Sequence, residues 1–259
     1  MRIERITAEN EQLFFDYVKG KELEFFFYIM DYKQYPQNTQ LFIAQDQQAE
    51  IDGIFIIWRE HTIQLRGSVE AAESFILFLQ QEKVEINQIT GTLNHKELLE
   101  QYFPSPKMQF NMYRMTLKKG QEKLNEKYPY VELNPTHKEE IAAFLRRSDP
   151  EFFGHEKAED ILMDDNRPYF AICEDDRIIS VGGLWIDEIM GIINIVATDP
   201  EFRRQQRATS MVSSGVKWLF KKTDQILIHV RSENHPAIQT YKKVGYQIGF
   251  EYVVVTIRD

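Results

Sequence analysis

Among its 259 residues the chain has a single cysteine, Cys173. A lone thiol excludes an internal disulfide and a cysteine-based zinc cluster. Long apolar runs are also missing: the longest, Phe25 to Met30, is far short of the roughly 20 residues that cross a bilayer. No apolar stretch follows Met1-Arg2-Ile3-Glu4-Arg5, so the expected protein is cytoplasmic, with no secretory leader and no membrane partner. There is no basic excess. Residues 1–120 carry 13 basic and 17 acidic side chains and residues 121–259 carry 18 and 23, so generic nucleic-acid binding has no electrostatic footprint in either half. His137, His155, His229 and His235 show no paired ligand spacing, and no metal site is expected. Glycine-rich phosphate loops, dinucleotide fingerprints and serine-nucleophile elbows are absent as well.

What remains is an ordinary globular composition, 43% hydrophobic and 27% charged, which rules out disorder as the main theme. The net charge of −9 fits a cationic or amine substrate better than an anionic one. The length is enough for two domains. Lys118-Lys119-Gly120 opens a polar, helix-breaking stretch, which places a boundary near residue 120 and gives domains 1–120 and 121–259.

The two halves share an order of elements. Leu41–Ala44 and Ile51–Trp58 read as a hairpin, as do Tyr169–Ile172 and Ile178–Trp185, because β-branched and aromatic runs are split by turn residues. A third strand follows at Ile63–Arg66 and at Ile192–Thr198. Helices are predicted over Val69–Gln81 and Ala208–Phe220, strands over Ile86–Thr92 and Ile226–Arg231, and short helices from Asn94 and Asn234. Phe110–Leu117 and Phe250–Ile257 are expected to close each half. The fold class is α+β: two tandem lobes, each a mixed, mostly antiparallel sheet flanked by helices. The aromatic stretch Phe25-Phe26-Phe27-Tyr28 reads as core.

The strongest local signal lies between a strand that ends at Asp199-Pro200 and a helix that starts at Ala208. Arg203, Arg204 and Arg207 sit in the loop and first turn. A helix N-terminus already carries about half a positive charge and free N–H groups. Cations there call for an anion such as a pyrophosphate, or else for pairing with Glu201 or Asp199.

Arg203-Arg204-Gln205-Gln206-Arg207-Ala208 resembles the acetyl-CoA loop of the Gcn5-related N-acetyltransferase (GNAT) superfamily, Arg/Gln-x-x-Gly-x-Gly/Ala. Asp199-Pro200-Glu201-Phe202 looks like that family's lead-in. Downstream, Asn234, Ala237 and Tyr241-Lys242-Lys243-Val244-Gly245-Tyr246 are similar to its Asn-x-x-Ala and Tyr-x-x-x-Gly-Phe/Tyr blocks. Gln206 stands where the family has glycine, and its side chain either crowds the pyrophosphate or donates to it. The first half offers only Arg66-Gly67-Ser68-Val69-Glu70 and reads as a degenerate copy, a scaffold or substrate wall without a cofactor of its own.

The resemblance implies acetyl transfer from acetyl-CoA to an amine on a small molecule or a protein. It places the co-substrate on Val196, Ala197, Thr198, Arg203, Arg204, Gln205, Gln206, Arg207, Ala208, Thr209 and Asn234, with Tyr241 as general acid for the thiolate. His229, on the strand before Asn234, suits proton removal at neutral pH; Asp187 and Glu188 are rival bases or substrate anchors. The acidic segment Glu156–Asp165 is expected in the helical pair before the first strand, as a solvated face. The alternative function is a catalytically weak or silent member that binds CoA or a ligand for regulation, or an interaction module. The oligomeric state, including a homo-oligomer, stays open.

Overall fold

The computed structural model describes residues 1–258. In chain order its elements are β1 (Arg2–Arg5), α1 (Glu11–Val18), α2 (Phe26–Gln34), β2 (Thr39–Gln45), β3 (Ile51–Trp58), β4 (Thr62–Gly67), α3 (Val69–Gln81), β5 (Gln88–Thr92), α4 (Lys96–Tyr102) and β6 (Met108–Lys118). Then follow β7 (Val131–Leu133), α5 (Lys138–Ser148), α6 (Pro150–Phe153), β8 (Tyr169–Glu174), β9 (Arg177–Ile186), β10 (Gly191–Thr198), α7 (Arg207–Leu219), β11 (Gln225–Arg231), α8 (His235–Val244) and β12 (Gln247–Thr256). Contacts divide the chain into two compact units, one of residues 1–112 with the segment from Phe250 onward, the other of residues 113–249.

The first unit orders its strands β1-β2-β3-β4-β5-β12. All neighbours are antiparallel except β4 and β5. Its core is built from alternate residues of β3 and β4 (Phe55, Ile57, Ile63, Leu65) against the apolar face of α3. Phe55 and Phe75 stack with centroids 4.4 Å apart. Phe25, Phe26 and Tyr28 are buried, as a core reading of that stretch requires.

The second unit orders its strands β6-β11-β10-β9-β8-β7, with β10 and β11 parallel and the pairs among β7 to β10 antiparallel. Its sheet is covered on both faces. Phe170, Ile172, Leu184 and Ile193 pack against α7 and α8, while Tyr169, Ala171, Val181 and Ala197 pack against α5. Period-2 alternation therefore buries both sides of β8. Gly215 lets α7 lie close to the sheet, since a Cβ there would meet Leu184 Cδ2 at 2.9 Å.

Two expectations are corrected. The closing strands are exchanged between halves: Tyr252–Thr256 pairs with β5 of the first unit, whereas β6 lies beside β11 in the second. Both strands carry similar apolar alternation, which specifies a half-buried strand but not the edge it joins. The segment from Glu156 to Asp165 is not part of a helical pair. It holds one short 3₁₀ turn, Ala158–Asp160, and the helices before β8 are α5 and α6. The Asp160 carboxylate accepts from the Lys157 N–H and so caps the start of that one turn. Among the described residues no helix is long and apolar enough to cross a membrane, and no cluster of His, Cys, Asp and Glu could hold a metal ion.

Candidate active site

The site begins with a flaw in a ladder. β10 pairs with β11 only from Gly191 to Ile193, and a bulge falls between Ile193 and Ile195. A bulge bends its strand and ends regular pairing. Beyond it β10 stays bonded to β9 as far as Thr198 while its other edge leaves β11. The opening is a cavity of about 600 Å³. Val196, Ala197 and Thr198 line it from β10, Arg203, Arg204 and Gln206 from the loop, and Arg207, Ala208 and Thr209 from the first turn of α7. Asn234, Ala237 and Tyr241 line it from the start and body of α8, and Ser148, Asp149 and Phe153 from the α5–α6 corner.

Asp199 anchors the loop. It is buried, accepts from the Glu201 N–H at 3.1 Å and pairs with Arg177 at 2.6 Å and Arg147 at 3.6 Å. Burial pushes its carboxyl up, but the Glu201 N–H and the Arg177 guanidinium outweigh burial and hold it below the ordinary range. Glu201 also pairs with Arg177. The acids before the loop are thus taken by arginines outside it.

The three loop arginines do not form one cationic cluster. Arg203 donates through Nε to the Thr198 carbonyl at 3.1 Å and through Nη2 to the Ser148 carbonyl at 2.7 Å. Its guanidinium fastens the end of β10 to the end of α5. Arg207 is 7% exposed and lies between the Tyr128 ring at 4.6 Å and the Phe202 ring at 4.9 Å. It is bonded to Glu174 at 3.3 Å and to Gln205 Oε1 at 3.1 Å. Only Arg204 presents an exposed guanidinium to which, among the described residues, no partner is bonded. The anion-binding capacity of the loop comes mainly from its backbone: among the described residues, none of the N–H groups of Arg204 to Thr209 donates to a protein acceptor. Such a row at a helix N-terminus matches an anion.

Gln206 is the N-cap of α7 with φ 68 and ψ 14, in the left-handed region, and Arg204 has φ 61. A glycine at 206 would therefore serve backbone conformation as well as close approach. The Gln206 Oε1 accepts from Asn125 Nδ2 at 3.2 Å. The left-handed backbone costs a residue with a Cβ about 1–2 kcal/mol, whereas one exposed hydrogen bond is worth less. Gln206→Gly is thus expected to stabilise the protein and to raise Tm by roughly 2–4 °C per kcal/mol gained. A thermal melt checks it: a lowered Tm would mean that the side-chain contact outweighs the backbone cost.

Tyr241 is 7% exposed and reaches the cavity from the buried side of α8. Burial pushes its phenol well above the ordinary range, so it is neutral at physiological pH and available as a proton donor. Asn234 caps α8 by accepting from the Ala237 N–H at 3.2 Å.

Four of the candidates lie outside the cavity lining. Gln205 spends its side chain on Arg207, and its carbonyl accepts from Tyr128 Oη at 3.0 Å. His229 is half-buried on β11, between Ile228 and Val230, which face the α7 core. Asp187 accepts from the Ile189 N–H in a tight turn, and neither it nor Glu188 lines the cavity. Ser148, Asp149 and Phe153 are lining residues that the sequence did not mark. They come from an element some 50 residues before the loop, and no local pattern links the two.

The corresponding place in the first unit is built differently. β4 and β5 pair from Thr62 to Gln64. The Ser68 side chain caps α3 by accepting from the Ala71 N–H at 3.0 Å, so one N–H of that helix start is satisfied internally. Buried His95 reaches the Gly67 carbonyl at 3.0 Å, and burial lowers its pKa. Arg66 is buried, with its guanidinium 4.6 Å from the Phe250 ring.

Residues 122–246 match the model of the Acetyltransferase (GNAT) family. A protein of Bacillus subtilis (strain 168) named "Putative ribosomal protein bS18-alanine N-acetyltransferase" is 31% identical over 112 residues, which covers 42% of this chain and 71% of that protein. Among solved structures, a tandem GNAT protein from the clavulanic acid biosynthesis pathway aligns at TM-score 0.60 with 9% identity, over 98% of each chain. A GNAT-family acetyltransferase from Colwellia psychrerythraea aligns at TM-score 0.58 with 9% identity over the whole of both chains. At such identities the solved structures speak for the fold, while the sequence matches speak for acetyl transfer. The chain belongs to the GNAT family of acetyltransferases.

Proposed function

We propose that the second unit transfers the acetyl group of acetyl-CoA to an amine, on a small molecule or a protein. The observation that carries this reading is one cavity that joins the unbonded N–H row of Arg204–Thr209 to the neutral phenol of Tyr241. The N–H row would hold the pyrophosphate, with Arg204 adding charge. The unpaired edge of β10 at Val196–Thr198 would hold the acyl arm and supply an N–H to the carbonyl oxygen as it gains negative charge. Tyr241 would give its proton to the departing sulfur. Bound acetyl-CoA supplies the activated acyl carbon; positioning and proton supply fall to the residues named. The acidic net charge of −9 supports a cationic acceptor that must lose a proton before attack. The Bacillus relative's name makes a protein N-terminal amine a natural member of the first acceptor panel.

Calorimetric titration with acetyl-CoA tests the binding half. Arg204→Glu is expected to weaken affinity by about 1.5–3 kcal/mol, the scale of a hydrogen bond to a charged group. Unchanged affinity would place the phosphates elsewhere. Free-thiol release across an amine panel tests the chemistry: binding without turnover on any amine would favour a silent binder. His229 is a weaker candidate for proton removal, because its ring lies outside the cavity lining. His229→Gln is expected to reduce kcat by less than about tenfold, below the range of a general base. A hundredfold loss at constant acetyl-CoA affinity would restore His229 to the mechanism.

A further inference from the structure

Residues 121–127 and 129–130 form no helix or strand, yet the segment around them is tied along α7. The Asn125 N–H donates to Ser213 Oγ and the Tyr128 N–H to Ser210 Oγ, each at 3.0 Å; both serines are fully buried. Glu126 pairs with Lys217 at 2.7 Å. Three further contacts land on consecutive residues at the end of the loop and the first residue of α7. Tyr128 Oη donates to the Gln205 carbonyl at 3.0 Å, Asn125 Nδ2 donates to Gln206 Oε1 at 3.2 Å, and the Arg207 guanidinium lies 4.6 Å from the Tyr128 ring. Neither Asn125 nor Tyr128 lines the cavity.

The loop they touch needs support. Arg204 and Gln206 both hold a left-handed backbone, which is unfavourable for residues with a Cβ. If either relaxed, the unbonded N–H groups of 204–209 would lose their present arrangement at the start of α7. A glycine at 206 would remove much of that tendency; this chain has glutamine there, with a side chain long enough to be grasped.

We propose that residues 123–130 form a brace for the anion-binding loop, with Asn125 and Tyr128 as positioning residues that do for Gln206 what a glycine would do through its backbone. The inference rests on the proposed acetyl-CoA site. The brace acts on cofactor affinity and not on the acyl-transfer step, since it touches the loop and nothing else in the cavity.

The test is a pair of substitutions in two backgrounds. Asn125→Ala with Tyr128→Phe removes both hydrogen bonds and keeps the ring on Arg207. With Gln206 in place, acetyl-CoA affinity is expected to fall about tenfold, the worth of one or two hydrogen bonds. In a Gln206→Gly background the same pair is expected to cost less than about threefold, because glycine holds the left-handed turn unaided. Tryptic cleavage after Arg204, followed by mass spectrometry without cofactor, should accelerate in the first background and change little in the second. Equal losses in both backgrounds, or no loss in either, would overturn the brace. If the wild type binds no acetyl-CoA, the cofactor reading fails by itself, and the cleavage rates alone decide the brace. If the double variant does not fold, Tyr128→Phe alone, with a smaller effect of the same pattern, takes its place.

Discussion

Tyr241→Phe is expected to lower kcat by about 10²–10⁴-fold, the range of general acid catalysis, while acetyl-CoA affinity changes by less than about twofold. The substitution removes one oxygen and keeps the ring that packs in the α7–α8 core and lies 6.1 Å from the Tyr246 ring. Stability is therefore expected to hold, which a thermal melt checks. Burial raises its pKa, so the phenol holds its proton at physiological pH. A proton delivered to the departing sulfur neutralises the negative charge that develops on it. The raised pKa also fixes a sign: loss of the Tyr241 proton cannot produce a fall in kcat below about pH 10. An alkaline limb between pH 8 and 10 would have to come from another group. A wild-type kcat in Tyr241→Phe would remove the residue from the mechanism.

Local pattern made much of the scaffold readable. The α3 helix is predicted and found over Val69–Gln81, because Ser68 caps it and Ala72, Phe75, Ile76 and Leu79 repeat at helical spacing. The α7 helix begins at Arg207, one residue before its predicted start, since Gln206 takes the N-cap. What escaped was set by distance in space or by backbone twist. The bulge beside Ile193 opens the cavity, yet Ile193-Asn194-Ile195 reads as ordinary strand. The three arginines look alike in sequence, but Arg203 is drawn to carbonyls at the end of α5 and Arg207 to a pocket of Tyr128, Phe202 and Glu174. Long side chains find partners that spacing does not reveal. The glutamine at 206 was visible as a departure from glycine; its left-handed N-cap backbone was not, because residues with a Cβ rarely adopt that conformation. The exchange of β6 and β12 was hidden because two similarly patterned strands satisfy either sheet.

Ala208→Asp should separate folding from cofactor binding, with opposite signs. Ala208 is the second residue of α7 and lines the cavity. An aspartate in the first turn of a helix is favourable by about 0.3–1 kcal/mol through the dipole and the free N–H groups. The protein alone is thus expected to melt at the same temperature or slightly higher. The same carboxylate would stand where the pyrophosphate is proposed to sit. Two like charges about 4 Å apart repel by up to roughly 4 kcal/mol near a protein surface. Acetyl-CoA affinity should fall at least about a hundredfold, or some 2.8 kcal/mol. Ala208→Asn has nearly the same shape without the charge, and its smaller loss measures the steric part. Added salt should recover part of the loss in the aspartate variant and little in the asparagine one, because screening acts only on the charge. Calorimetry of the two variants beside the wild type, each with its own melt, reads both signs. Retention of wild-type affinity by Ala208→Asp would place the pyrophosphate away from the start of α7, and the N–H row of Arg204–Thr209 would then need another ligand.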